Sequence, residues 1–91
     1  VCLATRERQE SAAALAREVD AMIVIGGRNS SNTTRLAEIC SSVCGNTHHI
    51  ECASELDPAW FDQCIEVGIT AGASTPEDQI AAVEARIASL G

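Results

Sequence analysis

The stretch "MIVIGGRNSSN", Met22 to Asn32, decides the fold of this chain. A dense apolar run, Ala21 to Ile25, stops at two glycines, and Arg28, Asn29, Ser30, Ser31 and Asn32 follow before a helical pattern begins. A continuous apolar run closed by glycine reads as a strand buried on both faces, as in a parallel sheet covered by helices.

The flanking segments fit that reading. Downstream, "NTTRLAEICSSVC" (Asn32 to Cys44) is expected to be a helix with Leu36, Ile39, Cys40 and Val43 on one face. Gly45 follows it where a left-handed residue would end a helix. Upstream, "TRERQESAAALAREV" (Thr5 to Val19) also reads as a helix, with Ala12, Leu15, Ala16 and Val19 as its stripe. "THHIECA" is a short strand. In "LDPAWFDQC" Asp57 stands as an N-cap and Pro58 at the first helical position, so a short helix or turn starts there. "IEVGITAG" is a second buried strand. "STPEDQIAAVEARIASLG" is the clearest helix, with Thr75 as cap, Pro76 first, Glu77 and Asp78 in the acidic first turn, and Ile80, Val83, Ile87 and Leu90 as its stripe. The order is α-β-α-β-(α)-β-α. It predicts an α/β fold, a small parallel sheet flanked by helices, over residues 1–91 as a single domain.

Composition narrows the function. Ala, Ile, Val and Leu must make the core, because Trp60 and Phe61 are the only aromatic side chains of this type. The formal net charge is -7, and all six basic residues are arginines scattered along the chain. Such a chain lacks the clustered cations that neutralise a phosphate backbone, which argues against nucleic acid. No apolar run reaches the ~18 residues of a membrane span. No secretory signal is visible, so the expectation is a cytoplasmic protein with no membrane partner. The chain begins at Val1 without a methionine, which fits either processing or a piece of a longer protein.

Cys2, Cys40, Cys44, Cys52 and Cys64 make an odd set, which speaks for reduced thiols or metal ligands rather than a disulfide framework. Cys40 and Cys44 are spaced to share a helix face but fall in or beside the apolar stripe, so they read as buried small hydrophobes. Cys52 and Cys64, in or beside strands, read as core too. Cys2 is placed just before the first expected helix, where a helix N-terminus favours thiolate and hence metal ligation or redox chemistry. His48 and His49 alternate along a strand and point to opposite faces, so they cannot make a joint site. Trp60 is expected to fill a gap under the short helix.

Two junctions carry the functional signal: "GGRNSSN" after the first buried strand and "TAGAS" after the last. In open α/β sheets ligands bind beyond the carboxyl ends of the strands. Both junctions combine glycine with small hydroxyl residues and both open a helix, whose free N–H groups and dipole suit an anion. Arg28 is a possible additional donor. The alternative is plain capping, the commonest use of Ser and Asn at such turns. Neither the Rossmann G-x-G-x-x-G nor the P-loop pattern is present. Glu77 and Asp78 already compensate the dipole of the last helix.

The residues also resemble a known family. "CLATRERQ" (Cys2 to Gln9), "VIGGRNSSNTTRL" (Val24 to Leu36), "HIECASELDPAWF" (His49 to Phe61) and "VGITAGASTPE" (Val67 to Glu77) are similar in order and spacing to segments of the IspH/LytB family of 4-hydroxy-3-methylbut-2-enyl diphosphate reductases. The resemblance covers the whole chain. It implies the last step of the non-mevalonate isoprenoid pathway, a two-electron reduction that removes an allylic hydroxyl as water and gives isopentenyl and dimethylallyl diphosphates. It implies a 4Fe-4S iron–sulfur cluster held by three cysteines, an external electron donor, and three similar α/β domains of which this chain matches the C-terminal one. It assigns Cys2 as a metal (cluster) ligand and Ser30, Ser31, Asn32 and Ser74 as ligands of the allylic diphosphate substrate, with Thr5 near that substrate. The family's other two cluster cysteines, its substrate-contacting histidines and its proton-delivering glutamate have no match here. No catalytic residue is therefore assigned within the chain. By itself the 91-residue domain is expected to be inactive and to lack the cluster without its N-terminal partner domains. The alternative is an isolated, non-catalytic diphosphate-binding or scaffold domain.

Overall fold

The computed structural model describes residues 3–6, 9–62, 65–72 and 75–90. Its elements are strand β1 (Leu3–Arg6), helix α1 (Ala12–Glu18), β2 (Ala21–Ile25), α2 (Ser31–Val43), β3 (Thr47–Ile50), β4 (Glu66–Ala71) and α3 (Glu77–Leu90). Short 3-10 turns cover Gln9–Ser11, Ala53–Glu55 and Pro58–Phe61. The four strands form one parallel sheet in the order β1-β4-β2-β3.

The apolar run that opened the sequence analysis is β2, a central strand buried along its whole length. Its side chains alternate between two cores. Ala21, Ile23 and Ile25 face a cluster with Ile50, Leu56, Phe61, Val67, Ile69 and the Ile80, Val83 and Ile87 stripe of α3. Met22 and Val24 face Ala12, Leu15 and Ala16 of α1 and Leu36, Cys40 and Cys44 of α2. Helices α1 and α2 thus cover one face, and α3 with the turns at Ala53–Glu55 and Pro58–Phe61 covers the other.

Four local expectations are corrected. First, the helix expected over Thr5 to Val19 is confined to Ala12–Glu18, and Leu3–Arg6 instead pairs with β4, Leu3 opposite Glu66 and Arg6 opposite Ile69. Arg6 to Glu10 carry no apolar residue, so a helix there would have no face to bury. Residues 3–6 satisfy the otherwise open edge of β4. A strand, not a helix, therefore follows the position of Cys2, which itself lies outside the described residues. Second, Ile39 is 42% exposed. The buried line of α2 runs through Thr33, Leu36 and Cys40, and Ile39 lies about 90° around the helix from its middle. Third, α2 ends with Cys44 in an extended conformation and its N–H on Cys40 O at 2.7 Å, and Gly45 is not left-handed. Fourth, Cys52 is half-buried rather than core, with its Sγ 2.9 Å from Ser54 Oγ. Cys40 and Cys44 are buried as expected, and Cys64 lies outside the described residues.

Asp57 caps its turn as expected, accepting from the Ala59 N–H at 3.0 Å. Trp60 then stacks on His48, with ring centroids 3.9 Å apart and planes 6° from parallel. Asn46 completes this unit: its Nδ2 donates to Trp60 O at 2.9 Å and its Oδ1 lies 2.6 Å from His48 Nε2. Burial holds the His48 imidazole below its ordinary value of 6.5, against a weaker opposing pull from Asp57. At the amino edge of the sheet, Asp20 Oδ2 accepts from Ile65 N (2.8 Å) and Glu66 N (3.2 Å), and these bonds hold its carboxyl below 3.8.

Both groups have folded pKa values below their unfolded ones, so both favour the native state above the unfolded value and lose that contribution as pH falls through the folded one. Unfolding midpoints in urea should therefore decline on acidification, first below about pH 6.5 from His48 and again below about pH 3.8 from Asp20. Emission of Trp60, the single tryptophan, should be quenched by the stacked imidazolium with a midpoint below 6.5. A quenching midpoint at or above that value would contradict the burial of His48.

Candidate anion site at the strand ends

β2 and β4 are neighbours, and their last residues, Ile25 and Ala71, are paired in register. From Ile25 the chain passes to α2 on one face of the sheet, and from Ala71 to α3 on the other. Adjacent parallel strands whose connections leave to opposite faces open a crevice between them, the position where α/β sheets bind ligands.

The two junctions meet at Thr33, which is fully buried. A methyl group on Gly26 would stand 2.6 Å from Thr33 Cγ2 and Oγ1, and one on Gly72 would collide with the same Oγ1. Glycine at both positions is thus what lets the first turn of α2 sit down on the strand ends. Hydrogen bonds then tie one junction to the other: Gly72 N donates to Ile25 O at 3.0 Å, and Thr75 Oγ1 donates to the same carbonyl at 2.9 Å. Thr75, expected as the cap of α3, is thus tied to the end of β2, and the helix begins one residue later than expected, at Glu77. Thr70, near the end of β4, is buried, and its hydroxyl has no hydrogen-bond partner among the described residues.

At the start of α2, Ser30 is the N-cap. Its Oγ accepts from Thr33 N at 3.3 Å and from Thr33 Oγ1 at 3.2 Å. A serine hydroxyl has two acceptor positions and one donor. With both acceptor positions used, its own O–H has no acceptor among the described residues. Ser30 N donates to Gly27 O and Thr34 N to Ser30 O, each at 3.0 Å. Among the described residues neither the amide nor the hydroxyl of Ser31 has a hydrogen-bond partner. Ser31 and Asn32 are exposed and line an open hollow of about 650 Å³ with Arg28, Asn29, Thr34, Arg35 and Glu38. The site offers outward N–H and O–H donors at the positive end of a 13-residue helix.

Capping and an anion cradle were rival readings of this segment. The structure shows the cap in place and leaves donors over. Arg28, expected as an extra donor, is committed elsewhere: Nη1 lies 3.4 Å from Glu51 Oε1 and Nη2 bonds Glu55 Oε1. Of the other expected site residues, Thr5 lies within β1 opposite Gly68, three residues before the paired ends of β2 and β4, so roughly 10 Å short of the crevice. Cys2 and Ser74 lie outside the described residues. His48 and His49 do face opposite ways, His48 to Trp60 and His49 Nε2 to Gly26 O at 3.0 Å. Among the described residues no group of three or more His, Cys, Asp or Glu side chains converges on a point that a metal ion would occupy. Nor is any described helix long and apolar enough to cross a membrane.

Fold and site together define an α/β domain with an exposed helix N-terminus at the switch point of a parallel sheet. The family profile described as LytB protein matches residues 1–88, and the chain belongs to that family. It is 56% identical over 90 residues to the 4-hydroxy-3-methylbut-2-enyl diphosphate reductase of Pelobacter propionicus, covering 99% of this chain and 32% of that protein. It is 60% identical over 87 residues to the enzyme of the same name from Geobacter sulfurreducens, covering 96% of this chain and 31% of that one. A solved structure of (E)-4-hydroxy-3-methyl-but-2-enyl diphosphate reductase, the terminal enzyme of the non-mevalonate pathway, superposes with a TM-score of 0.87 at 55% identity, over 90% of this chain and 29% of that one. The Plasmodium falciparum enzyme shares the fold at 22% identity, with a TM-score of 0.75. The chain spans about a third of the length of the curated relatives it matches.

The Thr33 seat has a direct test. Gly72→Ala forces a methyl into the Thr33 hydroxyl, so it should destabilise the fold by about 1–3 kcal/mol, read as a lower urea midpoint. Gly27→Ala, where a methyl meets nothing within 4 Å, should have little effect. Equal effects of the two would contradict the packing described.

Proposed function

We propose that this chain is the C-terminal domain of a 4-hydroxy-3-methylbut-2-enyl diphosphate reductase and that the N-terminus of α2 holds the substrate's diphosphate. The observation that carries the proposal is the open first turn at the switch point, where the Ser31 amide and hydroxyl have no hydrogen-bond partner among the described residues. It is joined to the relatives' names, which specify a diphosphate. In this reading Ser30 O–H, Ser31 and Asn32 donate to the phosphate oxygens, and Ser74 adds a hydroxyl from the second junction. These contacts are remote from the bond that breaks. They hold the carbon chain in place and convert binding energy into orientation.

Cys2 would bring one thiolate to a 4Fe-4S cluster, which supplies electrons and a Lewis-acidic iron when bound. The described residues alone do not fit such a cluster, whose remaining ligands would come from other segments of the enzyme. The electron donor is external, and the enzyme is cytoplasmic.

Ser31→Ala is the cleanest test, because Ser30→Ala would also remove a helix cap worth about 1 kcal/mol. In the reductase that carries this domain, Ser31→Ala should raise KM for the diphosphate substrate by roughly tenfold or more, the loss of a hydrogen bond to a charged group. Melting temperature should not change. An unaltered KM would remove Ser31 from the site.

A further inference from the structure

The segment that carries the cradle, Gly26 to Ser30, is fastened from the neighbouring edge strand. Three side chains of β3 and the turn after it reach across. His49 Nε2 donates to Gly26 O at 3.0 Å, Glu51 Oε1 lies 3.4 Å from Arg28 Nη1, and Glu55 Oε1 accepts from Arg28 Nη2. Glu55 is itself held, because its second oxygen accepts the Glu51 N–H at 2.7 Å. That backbone bond, with a smaller contribution from Arg28, keeps the Glu55 carboxyl below its ordinary value.

Arg28 also lines the hollow beside Ser31 and Asn32, so two roles compete for it, ligand of the anion or anchor of the loop. Both of its Nη groups are on carboxylates. An anion that drew it away would strip Glu51 and Glu55 of their counter-charge at the mouth of an anion site. A lone exposed ion pair contributes little. Here one guanidinium is shared by two carboxylates, one of them pinned by a backbone N–H, which is the geometry in which such pairs fix a backbone.

We infer that Glu55 and Arg28 are positioning residues for the anion cradle. Glu55 fixes Arg28, Arg28 fixes the backbone of residues 27–30, and that backbone aims Ser30 and Ser31 at the phosphate. Arg28 is not itself a phosphate ligand. The inference rests on the cradle reading proposed above.

The test compares the 91-residue chain with Glu55→Gln, Arg28→Gln, Arg28→Lys and the charge-swapped pair Arg28→Glu with Glu55→Arg. Amide hydrogen exchange is measured without ligand, and inorganic pyrophosphate binding by calorimetry. Exchange at the Ser30 amide, bonded to Gly27 O, should rise about fivefold or more in both Gln variants. Pyrophosphate affinity should fall about three- to tenfold in both, with partial recovery in Arg28→Lys and in the swapped pair. If Arg28 were a phosphate ligand, Glu55→Gln would release it and tighten binding, and that result overturns the inference. So does unchanged exchange at Ser30. Absence of pyrophosphate binding by the unmodified chain would instead count against the cradle, while the ligand-free exchange still decides the positioning role.

Discussion

The contact on which the rest of this structure depends is the burial of Thr33 between Gly26 and Gly72. Without Cβ atoms at those two positions the first turn of α2 comes down onto the ends of β2 and β4. Three consequences follow from that approach. Thr33 reaches Ser30 with both its amide and its hydroxyl, so the cap is formed from inside the protein. The two glycine junctions are drawn together, and Ile25 O accepts from both Gly72 and Thr75. The remaining donors at the helix start, led by Ser31, stay exposed beside the hollow that Arg28, Asn29, Asn32 and Arg35 also line.

The anion site proposed above would belong to a chain with net charge -7. In that proposal the attraction is short-ranged and comes chiefly from oriented N–H and O–H dipoles. Of the two arginines that line the hollow, Arg28 and Arg35, Arg28 is matched by two carboxylates. An acidic surface of this kind gives little long-range steering to a diphosphate. In that proposal recognition would depend on how well the donors are held in place, and so on packing at Thr33 and on the bracing from β3 inferred above.

Much of this was legible in the sequence. The β2 and β4 runs, the stripe of α3 and the start of the turn at Asp57 follow from apolar periodicity and cap chemistry, which are local properties. The juxtaposition of "GGRNSSN" with "TAGAS" followed from strand–helix alternation and the rule for ligand position. What could not be read was set by tertiary contact. Leu3–Arg6 became a strand because β4 offered an open edge, and nothing in four residues announces that. Ile39 looked like part of a stripe whose true axis is defined by Thr33, a polar residue that periodicity rules pass over. The Arg28 pairing spans 23 and 27 residues, beyond any local pattern.

The central claim is that both junctions form one anion site around Thr33. An amide-resolved NMR titration of this chain with inorganic pyrophosphate tests it most directly. The account predicts shifts concentrated at Ser31, Asn32 and Thr33 and, across the crevice, at Gly72 and Thr75. Shifts confined to arginines away from the crevice, such as Arg17 and Arg86, or shifts at α2 with none at Gly72 and Thr75, would contradict it.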